Sequence, residues 1–126
     1  MQRLLVEKVH MDRKPLNEEE QAARRQLTDV LRSVLSGDCT YVEAAPRVVH
    51  LRSHVGGVGD FDDDFRAFVA INSETDHLPT PATRDLWAEH AVSVLEPEIA
   101  KLETWAASFA NASCWALLAR FSDTNI

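Results

Sequence analysis

The chain is poor in the residues that hold small folds together covalently. It has two cysteines, Cys39 and Cys114, far apart in 126 residues. That is too few for a disulfide framework, and the pair fits no metal-ligand spacing. The two read as reduced, mostly buried thiols of a cytoplasmic protein. Glycine is scarce as well: there are four, and three of them are Gly56, Gly57 and Gly59. No GxSxG elbow, P-loop, Gly-rich dinucleotide turn or HExxH pattern occurs, so no cofactor is called for. No run approaches the roughly 18 apolar residues that span a bilayer. Residues Met1–His10 lack the apolar segment of a signal peptide. Bases are the minority charge, 13 against 20 acids, for a net charge of -7. A nucleic-acid binder needs a basic face for the phosphates, so this balance argues against that class. Period-2 alternation between hairpin turns is missing, and so is any internal repeat.

What is present is helical periodicity. Length and a hydrophobic content of 45% suit one ordinary domain with a core of its own. The expected fold is all-α, a single compact helical domain of about five helices over 17–122. Residues 1–16 form a partly ordered N-terminal extension and 123–126 a frayed tail. Asn17 and Glu20 make a capping box for a helix with Ala23, Leu27, Val30, Leu31, Val34 and Leu35 on one face, stopped at Gly37. Thr40 and Glu43 repeat the device for a second helix, in which Pro46 should kink the backbone or delay its start. Asp60 is the expected N-cap of a third. Phe61, Phe65, Phe68, Val69 and Asn72 form its stripe, and Asp62, Asp63 and Asp64 meet the positive end of its dipole. Ser73–Pro79 reads as a structured loop. Thr80 and Pro81 open a further helix carrying Leu86, Trp87, Ala91 and Val94. The last helix starts at Ser93 or Pro97, or the preceding one breaks at Pro97. Beyond Ser113 it is apolar nearly all round, which marks either the core or an interface.

Several side-chain groups invite a chemical reading, and each has a plainer one. His50 and His54 share a helix face at a zinc-chelating spacing, but Arg47 lies beside them and the face is polar. Glu74, Asp76 and His77 are the candidate ligands if a hard cation is bound. Asp62–Asp64 would stand roughly 15 Å away across the intervening helix. Ser73 or Ser53 with a histidine supplies the elements of a hydrolase without its motif. Arg120 falls in line with apolar residues and calls for a partner, for which a carboxylate of the Ser73–His77 segment is the expectation. The reading that absorbs most of the acids is recognition. Asp60, Asp62, Asp63, Asp64, Glu74, Asp76, Asp85 and Glu89 would form an acidic surface for a basic protein partner. The alternatives are a carboxylate and histidine metal protein or hydrolase, and a homodimer built on Trp115–Phe121 of the C-terminal helix.

The run Phe65-x-x-Phe68-Val69-x-Ile71-x-Ser73-Glu74-Thr75-Asp76-x-Leu78-Pro79 is followed by Arg84 and Trp87. A long terminal helix with Glu98, Glu103 and Cys114 comes after them. Over about half the chain this resembles small bacterial all-helical proteins of unknown function. The layout is also similar to that of immunity proteins that neutralise toxins. The resemblance implies a bacterial origin, a cytoplasmic home and a binding role more often than a catalytic one. It implies no site residues.

Overall fold

Three of the helices begin where a side chain supplies an acceptor for the first amides. The computed structural model describes residues 16–78 and 89–122, and in them four helices. These are α1 (Glu18–Ser36), α2 (Tyr41–Arg52), α3 (Asp63–Thr75) and α4 (Glu89–Phe121). No strand occurs among the described residues. The N-terminal extension, the tail 123–126 and the expected helix start at Thr80 lie outside them, as do Asp85, Leu86 and Trp87. Where a break was expected at Ser93 or Pro97, α4 runs through for 33 residues. Pro97 removes one backbone donor there. Its neighbours Ser93, Val94 and Glu96 are exposed, so the freed Ser93 carbonyl is open to solvent.

Both expected capping boxes form. Asn17 Oδ1 accepts from the Glu20 amide at 2.7 Å, and Glu20 Oε1 accepts from the Asn17 amide at 3.1 Å. Thr40 Oγ1 accepts from the Glu43 amide at 3.0 Å, and Glu43 Oε1 accepts from the Thr40 amide at 3.1 Å. Gly37 closes α1 with φ 87°, the left-handed conformation that a side chain disfavours. Pro46 sits inside α2, which continues past it.

The third helix starts two residues later than its sequence pattern suggests. Asp62, not Asp60, is the N-cap: its carboxylate accepts from the Asp64 amide at 3.0 Å. Phe61 therefore precedes the helix, leaves the apolar stripe and is 90% exposed. The far end also differs. Ser73, Glu74 and Thr75 are the last turn of α3, and Asp76 follows as its C-cap. The segment is a helix end before it is a loop. Thr75 explains this, because it is buried and returns its hydroxyl proton to the Ile71 carbonyl at 2.7 Å.

The core is the space between α4 and the other three helices. Ala106, Ala110, Cys114, Leu117 and Phe121 of α4 are buried along one side. Small residues at i, i+4 and i+8 let neighbouring helices come close, and Leu27, Leu31, Val48, Phe65, Phe68 and Ile71 fill the gaps between them. Each fully buried Leu or Phe contributes about 1.5–3 kcal/mol. α3 runs antiparallel to α4. Phe65 meets Phe121 edge-on at 6.1 Å at one end, and His77 meets Glu98 at 3.0 Å at the other.

The N-terminus of α2 points at the side of α4. Its first two amides, on Tyr41 and Val42, each donate to one oxygen of Glu103, both at 2.9 Å. Thr40 takes the third, so the orphan donors of this helix end are met. Replacement of Glu103 by Ala is expected to lower stability by about 1–2 kcal/mol, the range for a lost helix cap. Glu103→Gln, which keeps one acceptor, should recover part of the loss. Urea denaturation of the two variants measures both.

Candidate functional site

The acidic residues divide into those the fold uses and those it leaves outside. Arg120, in the last turn of α4, reaches the start of α3. Its Nη1 donates to Asp62 Oδ1 at 2.9 Å and to Asp64 Oδ2 at 3.0 Å. The partner of Arg120 is thus the acidic run before α3 and not the Ser73–His77 segment. Helix direction gives the reason: α3 is antiparallel to α4, so its first turn and not its last lies beside residue 120. Both partners also suit the dipoles, with carboxylates at an N-terminus and a guanidinium at a C-terminus. The Asp62 carboxyl is held below the usual carboxylate range by the hydrogen bond from Arg120, against the opposing effect of burial. Arg120 is raised in turn, first through its bond to Asp62.

The other acids of the expected recognition surface are scattered. Asp63 pairs with Arg66 at 2.7 Å, with both side chains largely in water. Such a pair contributes little to stability. Asp60, Glu74, Asp76 and Glu89 are exposed. Asp60 and Asp76 stand at opposite ends of α3, whose 13 residues separate them by roughly 20 Å. His77 turns to Glu98 and not to Glu74 or Asp76. No group of three or more His, Cys, Asp or Glu side chains is placed to share a metal ion among the described residues. His50 and His54 are both exposed with their rings 4.6 Å apart, and His54 Nδ1 lies 3.0 Å from the His50 carbonyl oxygen. Cys114 is fully buried, and burial pushes its thiol up to about 11, against a hydrogen bond with Tyr41. A thiol so placed stays protonated at neutral pH and is a poor nucleophile.

The outward face of α4 is apolar and faces away from the core. Between Glu103 and Arg120 the helix carries no charged residue over 104–119. Trp105, Ser108, Ala112, Trp115, Ala116 and Ala119 point away from the core and are exposed. Trp105 is 39% and Trp115 is 59% exposed, and Phe109 stands edge-on to Trp105 at 4.8 Å. Leu117, Leu118 and Phe121, expected to share a dimer interface with Trp115, are buried in the domain instead. The absence of charge over 104–119 was the available signal that two different faces of this helix are apolar. The capping role of Glu103 left no such trace, because the amides it receives are some 60 residues away in sequence.

The described residues form an all-α domain in which a charge-free face of α4 is turned outward. It belongs to a family of proteins of unknown function, DUF2489, which it matches over residues 2–117. No curated protein and no solved structure matches the chain. No helix of the described residues is long and apolar enough to cross a membrane.

The Arg120 contact has a pH signature. A depressed carboxyl adds stability that is complete above its unfolded pKa and lost as pH falls through its folded value. Asp62→Asn keeps a capping side chain and removes the charge. It should be less stable than wild type by about 1 kcal/mol at pH 7. The gap should narrow from about pH 4 downward and close once the folded carboxyl is protonated. Urea midpoints from pH 7 to pH 2 follow the gap, and a constant gap to pH 2 contradicts the assignment.

Proposed function

We propose that the protein is a non-catalytic protein-binding module that docks its partner through the outward face of α4. One observation carries the reading: two tryptophans stand exposed on a helix face without a charge over 104–119. Exposed apolar faces of this kind are typical of interaction surfaces, and tryptophan is the residue most enriched where binding energy concentrates. Two acids stand on the N-terminal side of that face. Glu96 and Glu98 are exposed on the preceding turns of α4, and the net charge is -7. Rim charges speed and steer association with a partner of opposite sign and contribute less to the final affinity. A basic protein suits this arrangement, and a basic toxin neutralised in the manner of immunity proteins is one such partner. The acids that hold α3 in place, Asp62 and Asp64, are not counted in the rim.

A second copy of the chain is the competing occupant, because Trp115, Ala116 and Ala119 would serve a homodimer equally well. Two measurements separate them. In light scattering at high concentration the wild type is expected to be a monomer. In a capture experiment from lysate of the source cells, wild type should retain a basic protein. Trp105→Ser/Trp115→Ser should lose it while its melting temperature stays within a few degrees of wild type. Retention should weaken at high salt. Equal capture by the folded double variant overturns the docking face, and a stable dimer that the variant abolishes transfers it to self-association.

A further inference from the structure

Away from the outward face of α4, and independent of the docking proposal, lies a groove between α1 and the end of α4. It has a volume of about 200 Å³. Arg25, Thr28 and Arg32 follow one another at i, i+3 and i+7, so they lie along one side of α1. Thr28 is the short member of the row. It is 6% exposed and gives its hydroxyl proton to the Arg25 carbonyl at 3.0 Å, which leaves a trough between two long arginines. Phe121 and Ser122 at the end of α4 form the opposite wall.

The charge of this groove runs against that of the chain. Arg24, Arg25 and Arg32 line it against a single carboxylate, Asp29. The four arginines nearest this end of the molecule have different obligations. Arg120 is neutralised by Asp62 and Asp64. Arg24 is fixed: its Nε donates to the Val55 carbonyl at 2.6 Å and its Nη2 to the Gly56 carbonyl at 2.9 Å. Its guanidinium stands 5.0 Å from the Phe121 ring centre, and that of Arg120 stands 5.1 Å from the same centre. Carbonyls and a ring orient Arg24, and the nearby Glu20 carboxylate offsets part of its charge. Arg25 and Arg32 are exposed and have no ion pair among the described residues.

We infer that this groove is a binding site for a small phosphate-type oxyanion, free or as the head group of a phosphorylated metabolite. Arg25 and Arg32 clamp it from either side, and Arg24 supplies a fixed positive charge at the floor. Guanidinium forks match the paired oxygens of such a group and can hold it bidentately. The groove is smaller than the roughly 300–1,000 Å³ of pockets that enclose a whole drug-sized ligand. It therefore takes one charged group and leaves the remainder of a larger ligand outside.

The test is thermal unfolding of the full chain with inorganic phosphate at constant ionic strength, chloride being the balancing ion. Wild type is expected to gain on the order of 3 °C at saturating phosphate, along a saturable curve. Arg25→Gln/Arg32→Gln should fold, because both side chains are exposed, and should lose the phosphate-dependent gain. Titration calorimetry with phosphate and with glycerol phosphate then separates a free ion from a head group: tighter binding of the ester assigns the head group, and equal binding the free ion. A flat wild-type curve overturns the proposal. So does an equal rise in the double variant, which would be the general stabilisation that phosphate gives by exclusion from protein surfaces.

Discussion

Two helices of this domain begin against the flank of a third, and a buried helix start is costly unless its free amides are met. α4 meets that constraint twice with charged side chains. Glu103 accepts the first two amides of α2 directly. Arg120 holds the Asp62 and Asp64 carboxylates, of which Asp62 in turn accepts the Asp64 amide. Along α4 the two charges lie some 25 Å apart at 1.5 Å per residue. The stretch between them has no charge at all, so its inner side is free to be core. The small residues Ala106, Ala110 and Cys114 occupy that inner side, where bulk would push the other helices away. Placement of α2 and α3 thus rests on electrostatics at their ends and on close packing between.

Much of this frame is local and therefore readable in the chain. The capping boxes Asn17–Glu20 and Thr40–Glu43, the glycine stop at Gly37 and the stripe from Ala23 to Val34 all involve residues within one or two turns. The errors share a different cause. Asp60 and Asp62 are equally good caps by residue type, and only the contact with Arg120 on α4 selects the second. Ser73–Thr75 has loop-forming residues, yet burial of Thr75 keeps them helical. Pro97 reads as a breaker, but a long helix absorbs it where the surrounding residues are exposed. In the first two cases tertiary contact decides between local options of similar energy, and at Pro97 access to solvent does.

The same contacts decide which acids are free to meet a partner. A run of three aspartates suggests an acidic surface, but Asp62 and Asp64 are tied to Arg120. Their density is explained by the start of α3. What the fold does not explain is outward: the face with Trp105 and Trp115, and the arginines of the α1 groove. The two differ in chemistry as well as position, one apolar and the other cationic. Of the two, only the apolar face carried a signal in the sequence. The groove needs Arg25, Arg32 and Phe121 together, from helices at opposite ends of the chain.

The acids before α3 serve the fold through Arg120. A double-mutant cycle of Asp62→Asn and Arg120→Gln, read as unfolding free energy at neutral pH, tests it most directly. The substituted residues keep hydrogen-bonding capacity and lose charge. A coupling of about 1 kcal/mol between the two positions is expected. Effects that add to within about 0.3 kcal/mol would contradict it and return these carboxylates to the pool of surface charges available to a partner.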